Sequence, residues 1–346
     1  MGEQPRMTRR PLLAALLGLC ALSAPLSRLS AQTADRPFPD RAISLATGYA
    51  PGGSTDIAAR LLAERLGVHL AGPGGEPARV VVENRPGAAG VVASEWLRRQ
   101  PADGHTIMLV ESGSHGIAPS ALVGGTRYDP VKDYTQLAVL GTGPLVIIAS
   151  PDFPPRDAKS LLAALREAPP ESITYASSGV ATPNHLASEM LALTLGARFV
   201  HVPYRSGGQQ VQAIHQGQGQ WGVAVLASAA GQIRGGLVRP MALTAPERFP
   251  TFPEIPTLAE SGLPGFDLQT WNVILGPPDM PPAVVARLNK AINAALGEEA
   301  FRNRLIETGV APWRQANSPA DARAFLEREV AKFKDVVQRT GVKLEQ

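Results

Sequence analysis

The chain has 346 residues, 44% of them hydrophobic, with 33 basic side chains against 30 acidic ones. That length and apolar content suffice for a sizeable core and suggest two domains rather than one. Its 34 glycines and 32 prolines, about a fifth of the chain, fall below the low-complexity level, and the formal charge of +3 falls to zero without the N-terminal segment read below, which leaves no electrostatic footprint for nucleic acid or an anionic membrane.

The N-terminus reads apart from the rest. Arg6, Arg9 and Arg10 precede an apolar run from Leu12 to Leu22, and Leu29-Ser30-Ala31 offers a small-residue cleavage site before Gln32. Residues 1–31 are therefore expected to be a cleaved export signal. Thr8-Arg9-Arg10-Pro11-Leu12-Leu13 also fits a twin-arginine pattern loosely, so both export routes stay open. The run is too short to span a bilayer, and no later stretch approaches about 20 apolar residues. Cys20, the only cysteine, lies in this segment, so the mature chain would hold no disulfide and no reactive thiol. Loss of Arg6, Arg9, Arg10, Arg28 and Glu3 takes the formal charge from +3 to zero.

Beyond a polar start, an extended run from Ala42 to Ala46 leads into Tyr49-Ala50-Pro51-Gly52-Gly53-Ser54-Thr55-Asp56. A helical pattern follows, with Ala58, Leu62 and Leu66 at i+4 spacing. A glycine pair between strand and helix lets the backbone turn sharply and leaves unpaired N–H groups at the helix start. The amides of Gly53, Ser54 and Thr55, two hydroxyls and the positive end of the helix dipole together suit a carboxylate or phosphate. The same residues also fit a plain joint with Ser54 or Thr55 as N-cap. The loop is neither a Walker loop nor a GxGxxG fingerprint.

Arg79 to Glu83 reads as a strand buried on both faces, followed by a turn and a helix from Val91 to Arg99. Thr106 to Val110 is a third strand that delivers Glu111-Ser112-Gly113-Ser114-His115 at its end. This alternation implies right-handed parallel βαβ units. Leu137 to Leu140 and Leu145 to Ala149 read as two strands entering a second unit, with a helix from Ala158 to Glu167. There Thr174-Tyr175-Ala176 delivers Ser177-Ser178-Gly179-Val180-Ala181-Thr182, with Pro183 at the first position of a helix to Leu195. Strand, helix, strand and helix follow at 199–202, 209–216, 221–226 and 228–234, and Arg239 to Thr244 is expected to return to the first unit. The tail holds an aromatic strand around Trp271 and three helices, the last opening on a near capping box at Ser318 to Asp321.

Enzyme motifs are scarce. The six histidines show no HExxH or HxH pairing, and there is no GxSxG elbow, so neither a metal nor another cofactor is expected. Ser112, Ser177 and Ser178 would be nucleophiles only with a base beside them, and His185 and His201 fit a structural role as well as a chemical one. Asp56 in a first helical turn suits the dipole; facing a cleft, it would repel an anion or pair with a ligand ammonium. Arg205, in Pro203-Tyr204-Arg205-Ser206-Gly207-Gly208, is the best candidate for a fixed positive charge at a strand end.

Seven segments in order make the chain resemble the Bug family of periplasmic solute-binding proteins, the binding components of tripartite tricarboxylate transporters. They are residues 50–56, 81–88, 128–133, 175–179, 185–187, 201–204 and 262–266 (Ala50-Pro51-Gly52-Gly53-Ser54-Thr55-Asp56 through Gly262-Leu263-Pro264-Gly265-Phe266). The resemblance runs from about Phe38 to the C-terminus. It implies an α/β, two-lobed type II periplasmic binding protein fold, each lobe a mainly parallel sheet flanked by helices. Lobe 1 would comprise 33–138 plus 242–346 and lobe 2 139–241, hinged near 136–142 and 238–244. It also implies a small carboxylate held by main-chain groups and hydroxyls, and membrane permease subunits as partners of a monomeric receptor that is not an enzyme.

By position, the ligand would meet Tyr49, Gly52, Gly53, Ser54, Thr55, Asp56, Ser112 and Gly113 from lobe 1. Ser177, Ser178, Thr182, His185, Tyr204 and Arg205 would face it from lobe 2. The chain departs from the family at Trp221 to Ala227, where a common Phe-Asp pair is missing, which argues against an amino-acid ligand and for a more apolar pocket. Competing readings are an exported hydrolase using Ser114, Ser177 or Ser178, and a binding protein that feeds a sensor instead of a transporter.

Overall fold

Strands and helices alternate along the chain because short continuous apolar runs, buried on both faces in the central strands, alternate with longer segments of helical period. The computed structural model describes residues 1–2, 38–180 and 182–343, so Cys20 and all but the first two residues of the expected export signal lie outside the described residues. Residues from Phe38 onward form one compact unit, and Met1 and Gly2 belong to a separate one. The first half contains β1 (Ile43–Thr47), α1 (Ser54–His69), β2 (Val80–Asn84), α2 (Val91–Leu97), β3 (Thr106–Glu111) and α3 (Ala118–Ala121). After β4 (Thr135–Ala149) come α4 (Ala158–Glu167), β5 (Thr174–Ser177), α5 (Pro183–Leu195), β6 (Val200–Pro203), α6 (Gly207–His215), β7 (Trp221–Val225) and α7 (Leu226–Arg234). The chain ends with β8 (Arg239–Leu243), β9 (Gln269–Gly276), α8 (Pro282–Gly297), α9 (Glu299–Glu307), β10 (Ala311–Pro312) and α10 (Pro319–Thr340).

The strands lie in the order β2-β1-β3-β9-β4-β7-β5-β6, with β8 and β10 both pairing β4. Each half has a parallel trio, β2-β1-β3 and β6-β5-β7, bordered by antiparallel strands. In each trio the chain leaves the central strand to one side and crosses to the other side for its third strand. Open α/β sheets form a crevice at the carboxyl end of such a strand, so β1 and β5 aim the loops after Thr47 and after Ser177 at the candidate site.

β4 is common to both halves. Its residues 135–144 pair with β9 and its residues 145–149 with β7 and β8. The two strands expected at 137–140 and 145–149 are thus one. The glycines that look like a break are required for close packing, since a Cβ on Gly141 would lie 2.3 Å from the Ala311 carbonyl oxygen. β8 pairs with the second half of β4, at its residues 146–149. β2 is not buried on both faces: it pairs β1 alone at a sheet edge, and Val81 is exposed.

Apolar side chains between sheet and helices form the core, with Trp221, Trp271, Tyr175, Phe252, Phe301 and Phe333 fully buried. Trp271 of β9 meets Phe325 of α10 edge-on at 5.8 Å, which ties the C-terminal helix to the sheet. That helix starts at the expected capping box, Ser318 and Asp321 each accepting the other's backbone N–H.

Candidate functional site

The turn after β1 sets the first wall. Gly52 has φ +85°, a conformation open to glycine at little cost, and Gly53 sits at the N-cap of α1 with no side-chain cap. The amides of Thr55 and Asp56 in the first turn have no intrahelical acceptor. Ser54 N–H donates to Ser228 Oγ of α7 across 3.2 Å, a link between residues 174 positions apart. α6 approaches the same point. A Cβ on Gly207 would come within 2.7 Å of Ser228 Oγ, and one on Gly208 within 3.8 Å of the Gly52 carbonyl oxygen. Ser206 caps α6 by accepting from Gln209 N–H, which leaves the Gly207 and Gly208 amides as donors. Two helix starts from the two halves of the sheet therefore meet at Ser228, with positive dipole ends facing a shared space.

Asp56 does not face that space. It is buried and accepts from the Gly52 amide at 3.0 Å, from Asn84 at 2.9 Å and from Arg60 at 2.9 Å. Burial alone would raise its carboxyl, but Arg60, the Gly52 amide and Asn84 together hold it below the ordinary carboxylate range. Asp56 fastens the glycine turn.

Glu111, at the end of β3, is the carboxyl that does face the cleft. It is buried, accepts from Thr55 Oγ1 at 2.7 Å, and takes part in no ion pair among the described residues. Burial pushes it up against the opposing pull of the Tyr49 and Thr55 hydroxyls. Burial, and then the Glu111 carboxyl, likewise push the Tyr49 phenol well up. Tyr49 donates to the Ala89 carbonyl at 3.0 Å. Ala88 and Ala89 have φ of 45° and 52°, a left-handed pair whose strain is borne by the cavity wall.

Two cavities open here. One of about 750 Å³ is walled by Tyr49, Ala50 and Ala88 on one side and by Val180, Thr182, Tyr204 and Arg205 on the other. Beside it lies a smaller space of about 20 Å³ between Tyr49, Thr55, Glu111, Asn184 and Ser228. Tyr49 and Ser178 border both.

Of the residues expected from sequence, Tyr49, Gly53, Ser54, Thr55, Ser178, Thr182, Tyr204 and Arg205 line these cavities. Six others do not: Gly52, Asp56, Ser112, Gly113, Ser177 and His185. Ser112 Oγ is spent on Thr270 of β9 at 3.0 Å, and Gly113 starts a buried π-helical turn. Ser177 Oγ lies 2.6 Å from His201 Nε2 and also bonds the Gly179 backbone, fully buried behind the loop. His185 stacks on His201 at 4.0 Å between ring centres. Burial, and then His201, lower His185 to about 3, and burial lowers His201 to about 4, so both rings are neutral.

The hydrolase reading lacks its geometry. Ser114 and Ser177 touch histidines but are sealed from both cavities, and Ser178 borders both with no histidine against it among the described residues. Sequence reasoning missed Glu111, Asn184, Gln209, Ser228 and the Ala88–Ala89 wall. Glu111 carried one signal, its place at a strand end; Ser228, in an alanine-rich helix, carried none.

A family model described as the tripartite tricarboxylate transporter family receptor matches residues 59–342. BugT of Bordetella pertussis is 30% identical over 329 residues, which cover 95% of this chain and 98% of BugT. The periplasmic binding protein BugD superposes with a TM-score of 0.82 at 29% identity, over 89% of this chain and all of BugD. R. palustris Rpa4515, solved with adipate, gives 0.83 at 28%, with the same coverage. These structures share the two-lobed α/β periplasmic binding fold, and the family consists of solute-binding receptors, not enzymes. The chain belongs to the tripartite tricarboxylate transporter receptor family.

Proposed function

We propose that this protein is an extracytoplasmic receptor that captures a small organic carboxylate between two hinged lobes and delivers it to the membrane permease subunits of a tripartite transporter. Lobe 1 would be 33–138 plus 242–346 and lobe 2 139–241, with β4 as one of the crossing strands. The mature chain, cleaved near Ala31, would act as a monomer in the periplasm. The observation that carries the reading is the meeting of the α1 and α6 starts at Ser228, beside a cavity of about 750 Å³. Main-chain N–H groups at helix starts recognise carboxylates without a dedicated cation, and exclusion of water on closure strengthens them. Arg205, exposed at the cavity mouth, supplies a positive charge at the rim. Rpa4515 carries a dicarboxylate in the same fold, which supports the ligand class.

A thermal-shift screen of mono- and dicarboxylates tests this. A ligand at about 100 times its Kd stabilises by roughly 2.7 kcal/mol, a shift of several degrees. Gly53→Val should abolish that shift while the protein still folds, because a Cβ at Gly53 meets only the Ala50 carbonyl, at 3.7 Å. No shift with any carboxylate, or a full shift in the variant, contradicts the reading.

A further inference from the structure

The small inner space presents acceptors as well as donors. Glu111 accepts from Thr55 Oγ1 at 2.7 Å and is faced by the Tyr49 hydroxyl, but no cation reaches its carboxylate among the described residues. Asn184, 1% exposed, gives its amide N–H to Gln210 at 2.8 Å, while its Oδ1 is buried with no partner among the described residues. Both residues line the same space of about 20 Å³, room for one water-sized group. A buried acceptor without a donor costs about 1–3 kcal/mol, and a buried carboxylate without a cation costs more. Arg205, the cation of the site, lines the outer cavity and not this one.

We propose that Glu111 and Asn184 form an ammonium subsite, so that the ligand is a carboxylate that also carries a protonated amine, its nitrogen seated between these two side chains. An ammonium has three donors and the size of the space, and a carboxylate and an amide oxygen both accept from it. The acid end of the same ligand then meets the amides of α1 and α6 a few ångströms away, and its remainder fills the outer cavity between Ala88 and Val180. The inference rests on the receptor reading above and refines its ligand class. The carboxylate that the 221–227 strand lacks is here supplied from the opposite wall, by β3.

The test is calorimetric titration of the purified protein with ligand pairs that differ only in the amine: glutarate against glutamate, and butyrate against 2-aminobutyrate. The amine-bearing member of at least one pair should bind tenfold or more tightly, and Glu111→Gln should erase that preference. If the variant fails to fold, the wild-type protein carries the same test. Affinity for the amine-bearing member should fall as pH drops through the titration of Glu111, since only the ionised carboxyl pairs with a cation. Tyr49 is the one other titratable group on this space; Thr55, Asn184, Ser206, Gly207 and Ser228 do not titrate. Equal affinities within each pair, or a preference that survives Glu111→Gln, would leave the space to a water and overturn the subsite while the carboxylate receptor stands. Failure of every acid to bind overturns both.

Discussion

Asp56 and Glu111 both flank the glycine turn and have opposite roles, because one found a cation and the other did not. Asp56 binds Arg60 and the Gly52 amide and holds the loop. Glu111 is buried behind Thr55, and its carboxyl is raised by that burial. Such a group ionises in the unfolded chain first, so the unfolded state binds fewer protons. Stability then falls as pH rises from the ordinary carboxylate range to the raised value in the fold. Glu111→Gln is therefore expected to raise the melting temperature of the ligand-free protein at neutral pH and to flatten its dependence on pH above about 4.5. Melting curves of both proteins check this, and a lower melting temperature for the variant at neutral pH would contradict it. That a residue should weaken the empty receptor fits a side chain kept for a ligand.

Among the elements, β4 shows where local pattern misleads. Gly141, Gly143 and Pro144 resemble a turn, yet they lie in a strand that pairs in turn with β9, β7 and β8. Close approach of β10 demands the missing Cβ, a long-range cause that no window of sequence contains. Gly141→Ala should cost about 1–3 kcal/mol by overpacking against Ala311, read as a lower urea midpoint at unchanged slope. An unchanged midpoint would mean that β10 is free to move away.

The β5–α5–β6 layer holds a second device, the stacked His185 and His201. Their depressed values, like that of buried His115 at about 3, mean that the unfolded chain protonates first as pH falls below about 6.5. The stabilisation is full above that pH and is lost below it, on the order of 1 kcal/mol per pH unit for each ring and less for the partly exposed His201. Melting temperature should drop steeply between pH 6.5 and 4.5, and His185→Gln should flatten the slope. A flat profile for the unmodified chain would mean that these rings are open to water.

At the scale of the molecule, the parallel trios, the two strand–turn–helix walls and the last three helices were legible, because each rests on a local period, a glycine turn or a cap. Half-buried edges and partners distant in sequence were not. Tyr49, Gly53 and Ser178 could be named from their turns, whereas Ser228 and Asn184 reach the cleft only because α7 and α5 pack where they do. Ser177 and His185 were misleading for the converse reason: both sit beside the cleft in sequence and behind its wall in space. Recognition in this account belongs to backbone N–H groups of two facing helices, which composition cannot reveal. The direct measurement is a ¹⁵N-amide NMR titration of the labelled mature protein with the acid that gives the largest thermal shift. The account predicts that the largest shift changes fall on Ser54, Thr55, Gly207 and Gly208; changes confined to residues outside the two cavities would contradict it.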